Sequence, residues 1–486
     1  MNPQEPAPSL AKRMWVRFAF AGLIIVAFSA AATATAGLLE VKDLAEQLHP
    51  TGKAPIKVPE LTPVEKGPQT ILLMGSDVRK IDRQRGLKGN SDTMILVRLD
   101  PTKKATALLS IPRDLKARIP GYGTAKINSA FPEGGTRLTV KTIQANLPGI
   151  EINHVVNTNF KGFQALVNKV DCVYVDIDRR YFNDNAIAYA TIDVKPGYQK
   201  MCGSRALDYV RFRHEDTDLV RGARQQDFIR QARSQVGVQR ILKDRKAFLR
   251  LFGKYTDTDI HGLQQTLSLL KVIAFSAGHP LQEVRFRTDI GPSYVISSPA
   301  QIRATVHEFL NVQPSKGPRG VNRAAPPVTP GKRRRKVDVT KLGLEEAKTA
   351  GEDQAIAAAP HVSIPVLFPR LRKAGSLYVD VPRTYVIDGP DGKRYPSYRI
   401  VARTGELGAY YGIQGTAWRD PPILDNPSET QKVGGKTYYL YGDVNRLRLV
   451  AVKTPRASYW VSNTVLLSLN NRQMLAIAKS LQRIGT

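Results

Sequence analysis

The sequence predicts an α/β protein with a mixed central sheet flanked by helices, preceded by one transmembrane helix and followed by a small α+β domain. Three observations lead there. Residues Phe18–Leu39 run 22 positions without a charge. From Gln69 to Val312, short apolar runs alternate with helix-patterned segments, the signature of strands and helices layered on one sheet. From His361 onward, aromatic and β-branched runs recur between turn residues.

The uncharged run is long enough to cross a hydrocarbon core of about 30 Å as a helix. Lys12, Arg13 and Arg17 flank its N-terminal side, which leaves residues 1–17 in the cytoplasm and exports the remainder. A cleaved signal peptide is the alternative, with Ala30–Ala36 supplying small residues for a peptidase. Residues Glu40–Pro68 are polar and proline-bearing and read as a stalk.

The next region, 69–312, is the first folded domain. Strands are expected at Thr70–Met74, Thr93–Leu99, Ala105–Ile111, His154–Thr158 and Val173–Ile177. Helices are expected at Leu138–Leu147, Phe160–Val170, Leu219–Leu242, Leu263–Ala274 and Pro299–Leu310. Residues 313–360 combine Pro, Gly and a Lys332–Lys336 basic run, too polar to bury a core, and read as a linker. Residues 361–486 form the accessory α+β domain, with Val433–Lys436 as a turn and a helix over Gln473–Ile484.

The chain has 486 residues, 42% of them apolar, and a formal net charge of +30, so it asks for an anionic partner. Outside the membrane the candidates are phospholipid, lipid-linked pyrophosphates and acidic wall polymers. Nucleic acid is not the expected partner, because the positive-inside reading leaves only about 17 residues in the cytoplasm for an element that reads DNA. The two cysteines, Cys172 and Cys202, suit a disulfide in an oxidising compartment, and two buried free thiols are the alternative. Neither belongs to a CxxC or a Cys/His cluster, which argues against thiol redox chemistry and a zinc site.

Four segments of the first domain carry chemistry. In Asn90–Thr93, Asp92 stands at the start of a strand, where a carboxylate is held firmly enough to accept a cation, or serves only as a turn. In Ser110–Asp114 a Pro-stiffened turn aims Arg113, whose guanidinium binds phosphate oxygens bidentately. Lys126–Ala130, with Gly134 and Gly135 behind it, could make an anion-accepting loop. The densest segment is Tyr209–Gln226. Arg211 and Arg213 share one face if extended, and Asp218, Arg221 and Gln225 share one helical stripe with Arg224 at its edge. The bland alternative is a self-paired surface network, since Glu215, Asp216 and Asp218 lie among these arginines.

Taken in order, Leu72–Asp77, Ser91–Thr93, Ser110–Asp114, Lys126–Asn128, Arg211-x-Arg213 and Asp218-x-x-Arg221-x-x-Arg224-Gln225-Gln226 resemble the LytR-CpsA-Psr (LCP) family over roughly residues 69–240. The resemblance implies an extracytoplasmic enzyme that moves a glycopolymer, as its phosphate ester, from a polyprenyl pyrophosphate carrier onto peptidoglycan, usually the MurNAc C6 hydroxyl. It implies Asp92 and Asp218 as Mg²⁺-associated carboxylates, and Asp92 either activates the acceptor hydroxyl or orients the metal. Arg113, Arg211, Arg213 and Arg221 would grip the pyrophosphate with Lys126, Arg224 and Gln225 in support, and a cavity between sheet and helices would house the prenyl tail. Where the family often has an arginine just before the Ser/Thr-Asp-Thr motif (here Ser91–Thr93), the chain has Asn90, with Lys88 the nearest upstream cation. A pyrophosphate hydrolase and a non-catalytic wall-binding protein are the competing readings.

Overall fold

The computed structural model describes residues 54–64, 67–77, 89–184, 191–213, 216–236, 244–261, 281–312, 338–405, 409–442 and 446–485, with isolated positions between 262 and 280. The Phe18–Leu39 segment expected to span a membrane lies outside the described residues, as does Lys88, and so does most of the Leu263–Ala274 helix. Among the described residues no helix is long and apolar enough to cross a membrane.

The first domain contains strands β1 (Gln69–Asp77), β2 (Asn90–Asp100), β3 (Ala105–Ser110), β4 (Lys116–Ile119), β5 (Gly123–Lys126), β6 (His154–Thr158), β7 (Val173–Ile177), β8 (Tyr181–Asn183), β9 (Ile192–Val194), β10 (Gly197–Met201), β11 (Thr256–Thr258) and β12 (Leu281–Val284). Among the described residues its helices are α1 (Ala130–Asn146), α2 (Phe160–Lys169), α3 (Gly203–Arg211), α4 (Asp218–Gln235), α5 (Arg245–Tyr255) and α6 (Pro299–Leu310). Six strands make the central sheet in the order β11-β6-β1-β2-β3-β12. It is mixed: β1 runs antiparallel to β2 and parallel to β6. Alternation along β1 explains why both faces are covered. Leu72 and Met74 point into a core shared with Val140 and Ile143 of α1 and Phe309 of α6, while Ile71 and Leu73 face Leu249 and Phe252 of α5.

A second apolar cluster joins β7, β10, α2, α3 and α4 through Val175, Met201, Tyr209 and Phe228. Cys172 and Cys202 are disulfide-bonded beside it, with Cα atoms 4.5 Å apart. The C-terminal part of the expected stalk is docked rather than free. Val58 is buried in the main core, and the Thr62 amide donates to the Ile152 carbonyl at 2.9 Å.

The accessory domain starts earlier than the composition suggests. Helix α7 (Lys348–Ala358) and the short strand Leu344–Glu346 occupy the end of the stretch expected as linker, because Leu344, Ala355 and Ala358 bury into the C-terminal core. Residues 313–337 lie outside the described residues. The domain is built on an antiparallel sheet whose central members are Arg394–Arg403, Tyr410–Thr416, Ser458–Ser462 and Leu447–Lys453. One face carries α7 and helix α8 (Asn471–Lys479), which is shorter than expected because strand Leu481–Arg483 takes over its end. The expected turn at Val433–Lys436 is a two-residue hairpin, with Gly434 and Gly435 at φ 56° and 75°. The other face rests on the first domain, where Tyr174 and Tyr198 pack among Trp418, Leu449 and Trp460.

One close approach places the business end of the first domain. A Cβ on Gly222 of α4 would lie 2.7 Å from Ser110 Oγ and 3.2 Å from Ser110 Cβ, so a larger residue must push Ser110 aside for α4 to sit this close to the end of β3. Gly222→Ala is therefore expected to lower the unfolding free energy by about 1–3 kcal/mol. Chemical denaturation checks this, and an unchanged midpoint would show that the contact is slack.

Candidate functional site

The site lies where the ends of β2 and β3 meet the N-terminus of α4. Asp92 reaches it through a break in strand pairing. Gly75 of β1 pairs with Thr93 and Ser76 with Ser91, which leaves Asp92 as the extra residue of a bulge. Bulges re-aim side chains in this way. Gly75 permits it, since a Cβ there would lie 3.1 Å from Thr93 Cβ. Gln225 of α4 holds the far side by donating to Thr93 Oγ1 at 3.0 Å and to the Val210 carbonyl at 3.2 Å.

Arg113 is the hub. Its guanidinium donates to Asp92, and its backbone N–H donates to Asp218 Oδ2 at 2.5 Å. Its Nε lies 3.9 Å from both Asp218 Oδ1 and Asp114 Oδ2. Arg221 donates to the Asp218 carboxylate and, at 2.9 Å, to the Asp92 carbonyl. Asp114 carries the other half, with Lys126 Nζ 3.0 Å from one oxygen and Arg213 Nη2 donating to the other at 2.7 Å. Among the described residues four cations thus share three carboxylates in one connected network.

The network has a floor and a rim. The side chains of Asp218 and Arg221 are 3% and 6% exposed, whereas those of Asp92, Lys126 and Arg213 are 40%, 39% and 41% exposed. Burial pushes the Asp218 carboxyl up from its ordinary value, against the pull of Arg221 and Arg113. Burial likewise pulls the Arg221 guanidinium down, against the attraction of Asp218. With one positive charge in excess over a desolvated floor, an entering anion completes the charge balance.

Two expected phosphate ligands do not join. Tyr209–Arg211 closes helix α3 rather than running extended, because Ala206, Leu207 and Val210 bury at helical spacing. Arg211 accordingly turns away from Arg213, pairs with Asp208 at 2.6 Å and lies over the Phe160 ring. Arg224 is fully buried. It pairs with Asp216 and donates to the carbonyls of Tyr209 at 2.8 Å and Phe212 at 3.1 Å. Its place is beneath the segment that carries Arg213, as a positioning group. The Gly134–Gly135 pair forms a kink inside α1, with Gly135 at φ 62°, and makes no loop with Lys126.

Sequence reasoning passed over Asp114, the acid that ties Lys126 to Arg213, although it stands next to Arg113. It also missed Arg179, which donates to Asp216 at 2.6 Å from 37 residues away, and Asp178 beside it. Burial drives the Asp178 carboxyl up to about 6, against hydrogen bonding from Tyr181 and attraction from Arg179 and Arg224, with Asp216 adding repulsion.

Two predictions follow from this buried support. Arg224→Met leaves Asp216 short of a partner and is expected to cost about 3–5 kcal/mol of stability, whereas Arg213→Ala, breaking a half-exposed pair, costs under about 1 kcal/mol. Urea unfolding of both variants decides it, and equal losses would refute the division of roles. For Asp178, the folded chain binds more protons than the unfolded chain between about pH 4 and pH 6, so this carboxyl makes stability fall as pH rises through that window. The stability difference between wild type and Asp178→Asn should therefore change by roughly 2–3 kcal/mol across it. A difference independent of pH would count against the burial effect.

Bacillus subtilis (strain 168) polyisoprenyl-teichoic acid--peptidoglycan teichoic acid transferase TagT is 30% identical over 227 residues, 45% of this chain and 69% of TagT. TagU of Oceanobacillus iheyensis, named for the same activity, is 32% identical over 216 residues, 42% of this chain and 63% of TagU. Among other curated relatives the covered share falls to 42%. A solved structure of the LytR-CPS2A-psr family protein YwtF (TagT) with bound octaprenyl pyrophosphate lipid is 23% identical, with a TM-score of 0.38 over 54% of this chain and 96% of that one. The LytR_cpsA_psr family model matches residues 36–284, just over half of the sequence. The chain belongs to the LytR_cpsA_psr family.

Proposed function

We propose that the chain is a phosphotransferase that moves a glycopolymer, as its phosphate ester, from a polyprenyl pyrophosphate carrier onto a peptidoglycan hydroxyl. The observation that carries this reading is the single network in which Arg113, Lys126, Arg213 and Arg221 share Asp92, Asp114 and Asp218. A pyrophosphate needs several directional donors and excess positive charge, and the network has both. Relatives named as teichoic acid transferases support the reaction class.

The division into floor and rim assigns the roles. Arg221 and Asp218 are buried, so they provide a preorganised field at the pyrophosphate. Arg213 and Lys126 stand half-exposed on a common carboxylate and can exchange Asp114 for phosphate oxygens. The acceptor hydroxyl attacks the polymer-side phosphorus, and its proton passes to Asp92, the exposed carboxylate of the bulge. The bond to the bridging oxygen breaks, and prenyl phosphate leaves with the electron pair. Such catalysis is mainly positioning and neutralisation of charge on the phosphate oxygens.

Asp92 and Asp218 also fit Mg²⁺. A hard cation takes carboxylate oxygens, and magnesium commonly uses one or two of them together with phosphate oxygens and water. The Arg113 guanidinium holds the space between the two acids, so an ion bound there would take its place and free it for a phosphate oxygen. When bound there, the ion would neutralise pyrophosphate charge. The uncharged N-terminal run fits the same picture as a single-pass anchor in the cell membrane, with its N-terminus cytoplasmic and the folded domains outside, close to a carrier lodged in that bilayer.

The test supplies lipid-linked polymer with and without peptidoglycan oligomers. A transferase yields conjugate, whereas release of free polymer phosphate in both cases identifies a hydrolase. Arg213→Ala is expected to slow conjugation by about 10²–10³-fold with the fold intact. Transfer at the wild-type rate would remove Arg213 from the phosphate grip.

A further inference from the structure

The first domain and the accessory domain enclose a cleft of about 670 Å³ at the C-terminal end of α4, away from the Asp218–Arg221 floor. Along α4 the cleft lining runs from Asp227 to Gln235, about 9 to 21 Å from Arg221 at helical rise. Volumes of this size at domain interfaces are typical of ligand sites.

Its chemistry differs from that of the cation-rich network. Asp227, Arg230 and Arg233 come from α4, and Asp176 and Asp178 from the end of β7 and just beyond. The accessory domain adds Arg399, Asp425 and Arg448. Among the described residues four aspartates and four arginines line the cleft, and Glu283 behind them pairs with Arg230 and Arg448, so the local charge is close to neutral in a chain of net charge +30. At the base, Asp176 and Arg399 pair across the two domains at 3.0 Å, both buried. Beside them Pro422, Ile423 and Tyr441 offer apolar surface.

A phosphate-rich polymer would meet four carboxylates there and a polycation four guanidinium groups. Donors and acceptors side by side with apolar surface match a saccharide, whose hydroxyls do both while its C–H faces are apolar. We propose that this interdomain cleft binds an uncharged stretch of a glycan strand. Whether that strand belongs to the acceptor or to the transferred polymer rests on the transferase reading, but the binding does not.

The test uses the full chain in detergent micelles, titrated separately with chitotetraose, for a wall-type glycan, and with maltotetraose, for a neutral hexose polymer. Saturation-transfer NMR and calorimetry should show saturable binding of at least one, and the preferred sugar points to the source. Ser234→Trp and Asp425→Trp fill the cleft from exposed positions on opposite domains. Each should weaken sugar binding at least tenfold while leaving geranyl pyrophosphate binding and far-UV circular dichroism unchanged. Arg213→Ala should do the reverse, losing the pyrophosphate and keeping the sugar. The proposal is overturned if neither sugar binds, if both tryptophan variants bind sugar like wild type, or if they lose both ligands together. Sugar binding that the tryptophans block, in a protein without transfer activity, upholds the cleft and sinks the transferase reading instead.

Discussion

One buried carboxylate organises the catalytic end of the molecule. Asp218 accepts the Arg113 backbone N–H and the Arg221 guanidinium, and so fastens the turn after β3 to the first turn of α4. Neither partner stands free of it: Arg113 reaches Asp92 only from that turn, and Arg221 reaches the Asp92 carbonyl only from that helix. A buried ion pair of this kind is a weak source of net stability, because desolvation offsets its attraction. Its value here is geometric. It fixes where positive charge stands, which is what phosphoryl chemistry asks of a protein.

The same constraint explains the unequal behaviour of the arginines that look alike in sequence. Arg213 and Arg224 both belong to the Arg-rich stretch, but one is half-exposed over Asp114 and the other is sealed against Asp216 under aromatic rings. A guanidinium with three fixed partners cannot also follow a substrate. Arg224 instead shapes the path of the chain around Arg213, and Arg179 shares that duty from the other side of Asp216.

Much of the fold was legible because it rests on period. Strands β6 and β7 and helix α6 follow their apolar patterns residue for residue. The convergence of Asp92, Arg113, Lys126, Arg213, Asp218 and Arg221 was legible through the ordered motifs. Three features were not. The β-bulge at Asp92 depends on how β1 pairs with β2, which no pattern within β2 reveals. The Arg211–Arg213 face was misjudged because two arginines at spacing two fit an extended segment as well as a helix end, and burial of Ala206 and Val210 settles it as helix. The start of the accessory domain was hidden because α7 is rich in Ala, Gly and polar residues. Its burial depends on a few small side chains rather than an apolar stripe.

The accessory domain also changes how α4 should be understood. Its first turn faces the phosphate network and its last turns face the second domain, so one rigid element relates the two sites. The interface beyond it is firm: Tyr198 is fully buried against Trp418 and Trp460, Arg399 pairs with Asp176, and Arg448 pairs with Glu283 at 2.9 Å. A fixed spacing has a use if the substrate is a polymer. Contacts made far from the reacting phosphorus can supply binding energy that holds the reacting groups in line, provided the remote site cannot drift. A nearly neutral cleft that begins about 9 Å along the same helix, and is held there by an aromatic interface, meets that condition. A cleft on a flexibly tethered domain would not.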